Sequence, residues 1–349
     1  MRSRSFPLVV FLLGTYLGFA QSSPKVPKAT LVKEEYIFEN PPFPSCHAST
    51  IIETNPGKWM SAWFGGTDEG NKDVGIWLST NTNGQWSKPT LMAEGIIDEN
   101  TRWPCWNPVL FKSKAGKLFL FYKVGPSPRE WWGMVRTSTN DGRTWTEPER
   151  LPDGILGPIK NKPVQLADGS ILSSASTETR ESWKAHVERS TDGGKTWTLI
   201  PVDPKTDLDV IQGSILTYPD QRLQMLCRSK QDRIAEVWST DGGKTWGTLT
   251  KTELFNPNSG TDAVTLKNGW QLLVYNPTFK GKEWSNGRQK LSVAMSKDGK
   301  NWTDVYSLED QPKGEFSYPA VVQAADGRVH ITYTWQRRNI RHVVLALEQ

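Results

Sequence analysis

The chain has 349 residues and a formal net charge of +5. That length holds one large domain or two ordinary ones, and so small and evenly spread a charge argues against a nucleic-acid partner. Cys46, Cys105 and Cys227 stand far apart without a C-x-x-C pair. They indicate neither a stapled framework nor a zinc site and read as buried free thiols, although an exported chain allows a disulfide among them.

The first element is "MRSRSFPLVVFLLGTYLGFAQSS", in which Arg2 and Arg4 precede an apolar run from Phe6 to Phe19 that ends in the small residues Gly18 and Ala20. This pattern predicts a signal peptide over residues 1–20, cut after Ala20, and a single domain over 21–349. Losing the two arginines takes the charge from +5 to about +3. The run is too short for a transmembrane anchor and no later stretch is apolar enough to span a bilayer. The expectation is an exported protein, periplasmic or secreted, monomeric, with no membrane insertion after cleavage.

Beyond the leader one octapeptide recurs. "STDGGKTW" stands at Ser190–Trp197 and again at Ser239–Trp246, with looser copies at Ser79–Trp86, Ser138–Trp145 and Ser296–Trp302. Their starts are 59, 52, 49 and 57 residues apart, a period that signals a repeat architecture. Asp can accept bonds from the turn's own backbone, Gly-Gly supplies positive φ, and Trp packs back on the sheet, so the box reads as a hairpin turn rather than a catalytic motif. A short apolar strand follows a turn glycine at Gly57, Gly116, Gly169, Gly269 and Gly327, and a sixth follows Gln221. Six units of strand, turn, strand, connection, strand, box, strand, with almost no helical periodicity, predict an all-β fold, a six-bladed β-propeller.

In a propeller the innermost strands surround a channel whose mouth binds ligands. Alignment of the strands before each turn glycine places His47, Asn107, Lys162, Gln212, Asp262 and Tyr318 at their openings, six polar residues all different from one another. Apolar positions repeat because they are structural, so a position that varies among polar types reads as a ring of functional groups. Lys123 and Arg228 match on the next strand, and the connections add Asp68, Glu69 and Asp73, then Arg129 and Arg288.

These boxes and strands resemble the sialidase (neuraminidase) superfamily over nearly the whole mature chain. The resemblance implies three arginines on a substrate carboxylate, a Tyr nucleophile activated by a Glu, and an Asp acid. Arg228 in "QMLCR" matches the second arginine, Arg288 before "QKLSVAMS" the third, Tyr318 in "EFSYPAVV" the nucleophile, and Asp68 the acid, with Glu69 close by. Two positions depart. His47, in "CHAST", stands where the first arginine belongs, and Gln212, 16 residues before Arg228, where the Glu belongs. A neutral amide cannot take a proton from a phenol of pKa about 10.

The remaining groups suit elimination. His, with an ordinary pKa of about 6.5, shuttles protons, and Arg228, Arg288 and Lys162 can neutralise a carboxylate and acidify the C–H beside it. The expected activity is β-elimination at the terminal uronate of an acidic oligosaccharide, giving an unsaturated uronate, with water or a sugar leaving. The resemblance to enzymes that cleave rhamnose from glucuronate, and to sialidase-like proteins of ulvan degradation, implies glucuronate or iduronate. The site is then His47, Tyr318 and Asp68 for catalysis, with Arg228, Arg288, Lys162, Gln212, Asp262, Asn107 and Arg129 for binding. An exo-glycosidase acting on a terminal acidic sugar is the first competitor. A non-catalytic carbohydrate-binding propeller, with Trp103, Trp106, Trp131 and Trp132 stacking on sugars, is the second. No cofactor is expected and no metal, since His186, His330 and His342 lack ligand spacing and "GGTDEGNKD" lacks that of a calcium loop.

Overall fold

The computed structural model describes residues 25–282 and 286–348, so the expected leader over residues 1–20 lies outside the described residues. Six antiparallel sheets form in chain order. Their innermost strands are Ser45–Asn55, Cys105–Lys112, Val164–Gln165, Val210–Thr217, Asp262–Thr265 and Phe316–Gln323, for blades one to six. Five blades have four strands, and the first has a fifth, Thr90–Ala93, paired to its third. Among the described residues there is no helix, hence none long and apolar enough to cross a membrane.

The sixth blade closes the ring. Its outermost strand is the N-terminal Lys28–Tyr36, which runs antiparallel to Asn339–Glu348 from Lys28 opposite Glu348 to Tyr36 opposite Arg341. Neighbouring blades are stitched by side chains that take backbone N–H groups the inner strands would otherwise leave unpaired at the sheet edge. The Ala48 amide donates to Thr334 Oγ1 (3.1 Å), the Ala263 amide to Ser214 Oγ (3.0 Å) and the Val321 amide to Asp262 Oδ2 (2.8 Å). Strands inside a blade are covered on both faces by the adjoining blades. Trp59 to Gly66 are therefore buried without interruption, and apolar runs replace simple alternation.

The two identical octapeptides fold identically. Asp192 Oδ1 accepts from the Lys195 and Thr196 amides (3.0 Å each) and Asp241 Oδ1 from those of Lys244 and Thr245 (3.0 Å each). The Thr hydroxyls donate to the other carboxylate oxygen at 2.6 Å in both. These turns lie between third and fourth strands, away from the channel, as a structural role requires. All three cysteines are buried and free.

Candidate active site

Four inner strands bulge at one level. Pairing with the second strand skips between His47 and Thr50, Trp106 and Val109, Ile211 and Ser214, and Ser317 and Ala320. The first extra residue of each bulge has positive φ: Ala48 (59°), Asn107 (37°), Gln212 (57°) and Tyr318 (53°). A non-glycine residue held there costs on the order of 1–3 kcal/mol, which such bulges carry where they re-aim side chains at a site. Each of these residues lies nine positions before its blade's turn residue, and in blades three and five the same offset falls on Lys160 and Gly260. The channel ring is therefore Ala48, Asn107, Lys160, Gln212, Gly260 and Tyr318.

That ring corrects the sequence alignment in three blades. His47 precedes the bulge by one residue and still lines the cavity. Lys162 and Asp262 lie seven positions before their glycines, two residues further along the channel. There they pair with each other at 2.9 Å and line a different pocket of about 510 Å³ at the other mouth, with Lys112 and Gln323. Lys160 spans the channel between blades. Its Nζ donates to Asn161 Oδ1 (2.9 Å) and to the Thr261 and Pro319 carbonyls (2.9 and 2.5 Å), and burial pushes its pKa down to about 7. Gly260 makes room for it, since a Cβ there would meet Lys160 Cε at 2.8 Å.

The first mouth holds a cavity of about 170 Å³ in which His47, Asn107, Gln212, Tyr318, Arg228, Arg288 and Arg337 meet. Arg228 Nη1 donates to the Tyr318 hydroxyl at 2.5 Å and to Gln212 Oε1 at 3.4 Å, while its Nε donates to Asn258 Oδ1 at 2.7 Å. The Tyr318 oxygen also accepts from Gln212 Nε2 (3.5 Å), which leaves its own O–H to donate. Arg288 is 1% exposed and donates to Glu315 Oε1 at 2.8 Å. Its pKa falls below the ordinary guanidinium value, chiefly through burial. Arg337 grips Glu315 with Nε (2.8 Å) and Glu69 with Nη1 (2.7 Å). Burial opposes its charge, but the two carboxylates raise its pKa above the ordinary value.

His47 is fully enclosed, its ring centroid 4.2 Å from that of Tyr318. Burial, then the charges of Arg337, Arg288, Arg228 and Lys160, hold its pKa well below 6.5, so it is a neutral base at pH 7. Its Nδ1 is buried without a hydrogen-bond partner among the described residues. A bound water or a ligand in the polar cavity would supply the missing bond.

The remaining candidates divide between this cavity and its surroundings. Asp68 is exposed on its loop, its Oδ1 accepting from the Glu69 amide and Ser45 Oγ (2.9 and 3.5 Å), and Glu69 reaches the cavity in its place. Arg129 lines a separate groove beside the cavity. Lys123, aligned with Arg228, is buried and donates to the Pro158 carbonyl at 2.7 Å, a tie within the fold. Trp106 and Trp131 line the cavity, whereas Trp103 and Trp132 pack against a hydrophobic core. His330 and His342, twelve residues apart, meet at 3.0 Å across paired strands, and Glu35 joins them at 3.0 Å. Among the described residues no group of three His, Cys, Asp or Glu side chains could hold a metal ion.

Arg337 escaped the sequence reading because it lies on the hairpin between Val329–Trp335 and Asn339–Glu348, outside the inner strands. Gln336 and Arg337 both have positive φ (54° and 55°), and the Arg338 amide closes the turn on the Trp335 carbonyl at 3.0 Å. That turn type strongly prefers Asn-Gly at its centre. "WQRRN" lacks both there, and two basic residues side by side at a hairpin tip were the available signal.

The BNR repeat-like domain family matches residues 57–331. The anhydrosialidase of Macrobdella decora is 24% identical over 236 residues, covering 59% of this chain and 30% of that protein. The sialidase of Micromonospora viridifaciens is 24% identical over 239 residues, covering 61% and 35%. The chain thus spans about a third of the length of the curated relatives it matches. Among solved structures, a protein of unknown function from Dyadobacter fermentans superposes with a TM-score of 0.74 at 18% identity, covering 93% of this chain and all of that one.

Proposed function

This chain belongs to the BNR repeat-like domain family, within the sialidase superfamily of propellers, and from that premise we propose that it is a glycan-processing enzyme whose channel mouth binds the carboxylate of a terminal acidic sugar. A cavity of about 170 Å³ is small beside the ~300–1,000 Å³ typical of drug-sized ligand sites, which supports an exo-acting site for one sugar ring. Arg228, Arg288 and Arg337 converge on it, and guanidinium forks suit a planar carboxylate. Trp106 and Trp131 supply apolar wall for a sugar face.

Our reading of the reaction is β-elimination on a uronate, glucuronic or iduronic acid, as ulvan fragments carry. The observation behind it is the packing of a neutral His47, whose Nδ1 has no hydrogen-bond partner among the described residues, against Tyr318 beside the arginines, while an amide, Gln212, stands where a carboxylate base would activate the tyrosine. The arginines neutralise the carboxylate and so acidify the adjoining C5–H. His47 takes that proton, and the electron pair forms the C4–C5 double bond as the C4–O bond breaks. Tyr318 donates its O–H to the carboxylate oxygen on which charge develops. Export through the expected leader belongs to the same proposal.

Hydrolysis of a terminal acidic sugar is the second reading, favoured by the named activities of the sialidase and anhydrosialidase relatives. Mass spectrometry on uronate-terminated and sialylated oligosaccharides separates the two. Loss of water without cleavage, or a cut chain carrying a double bond, supports elimination. A cut chain that has gained water supports hydrolysis, and unaltered oligosaccharides that are nonetheless bound support a lectin-like role.

A further inference from the structure

Two carboxyls line the cavity, Glu69 and Glu178. Glu69 is engaged by Arg337 at 2.7 Å and serves as an acceptor. The Glu178 carboxyl makes no hydrogen bond or ion pair with any described side chain or backbone group, although the residue is half-buried. It ends blade three's second strand, Ile171–Glu178, opposite Trp183, whose ring lies 5.3 Å from the Arg228 guanidinium. The carboxyl is thus held at the cavity beside the arginines, and nothing in the fold consumes it.

Glu178 also lines a second groove of about 500 Å³, with Ser127, Arg129, Glu130, Thr179, Arg180 and Glu181. It is therefore the wall shared by the one-sugar cavity and the adjoining groove. A uronate seated in the cavity with its C4 substituent, a hydroxyl or a sugar, directed to the groove carries the C4–O bond past Glu178. Asp68, which the family resemblance offered as the acid, is not among the cavity's lining residues.

We propose that Glu178 is a further catalytic residue, the acid that protonates the leaving oxygen at the boundary between cavity and groove. The inference rests on reading the cavity as a site of C–O cleavage. In the elimination the C5 proton passes to His47, the C5–H electron pair becomes the new π bond, and the C4 oxygen departs with the C–O pair. That oxygen takes the Glu178 proton and leaves as water or an alcohol. After release, His47 returns its proton to Glu178 through solvent, so the cycle balances without a co-reactant. Burial raises the Glu178 pKa above its ordinary 4.5, against the nearby Arg228, Lys230 and Arg129 charges, which favours the protonated form this role needs.

The test compares the parent with Glu178→Gln and Glu178→Asp on matched uronides whose leaving groups are an alkoxide or hydroxide and a fluoride, which needs little protonation. Glu178→Gln is expected to lose about 100-fold or more in kcat on the oxygen substrate, the lower end of general-acid effects, with KM and the fluoride substrate little changed. Glu178→Asp should recover part of the loss, and the high-pH limb of the parent's kcat profile should vanish in Glu178→Gln. Equal losses on both substrates, or none, overturn the proposal. If the parent adds water rather than forming a double bond, the elimination reading fails, and the same comparison with sugar and nitrophenolate leaving groups still judges Glu178.

Discussion

The two mouths of the channel share the same six strands and differ in how their charges are spent. At the far mouth Asp262 is saturated: it accepts from Lys162 (2.9 Å), Ser214 Oγ (3.0 Å) and the Ala263 and Val321 amides (3.0 and 2.8 Å). Lys112 and Lys114 there donate to the Thr54 and Leu166 carbonyls. At the near mouth, three guanidiniums line a cavity in which, among the described residues, His47 Nδ1 and the Glu178 carboxyl have no hydrogen-bond partner. A fold satisfies its buried charges where they only hold it together and leaves them convergent where a ligand completes the set.

The sharpest way to break this contrast is to remove the proton acceptor of the near mouth. His47→Ala is expected to lower kcat about 10²–10⁴-fold, with a smaller effect on KM, in steady-state assays on the uronide. Asp262→Asn should do the reverse. Leaving half-buried Lys162 without its charged partner, and the Ala263 and Val321 amides with a weaker acceptor, is expected to cost about 1–3 kcal/mol in denaturant unfolding, while kcat of the folded fraction stays near the parent's. Arg337→Lys keeps the charge but loses the fork on Glu315 and Glu69. It should raise KM about tenfold, the low end for weakening a buried charged contact. Equal effects of all three on kcat would erase the distinction between the mouths.

A smaller effect follows from pH. His47, His330 and His342 are held below their ordinary pKa of 6.5 by burial, His330 at about 3. Above pH 6.5 the folded and unfolded chains are both neutral at these sites. Below it the unfolded chain binds protons that the folded chain refuses, so stability falls as pH drops from about 6.5. Glu35, held at about 2 by His342 and Lys33 against its burial, adds a loss in the same direction below its ordinary 4.5. Thermal melts between about pH 7 and pH 5 should show a falling Tm, with part of that slope removed in His330→Asn.

The fold was legible because the box is a local code. Ser190, Asp192, Gly194 and Thr196 close their own hydrogen bonds within seven residues, so the motif survives as letters. The near-mouth residues His47, Asn107, Gln212, Arg228, Arg288 and Tyr318 could be reached by counting from the repeats. The count slipped by one residue in blade one, where His47 precedes the ring position Ala48, and by two in blades three and five, whose inner strands are short, Val164–Gln165 and Asp262–Thr265. Lys162 and Asp262 stood out there as polar strand openings, whereas the ring positions are Lys160 and Gly260. Arg337 and Glu178 stand on a hairpin turn and at a strand end, outside any repeated position, and only the closure of the ring brings them to the cavity.

The most direct test of the near mouth as a carboxylate site is calorimetric titration with a uronate and with its methyl ester, which keeps the ring and removes the charge. A preference of at least about 100-fold for the uronate is expected, from one to two charged contacts, lost in Arg228→Met and kept in Lys162→Met. Equal affinities for acid and ester, or a preference that disappears with Lys162 and not with Arg228, would contradict it.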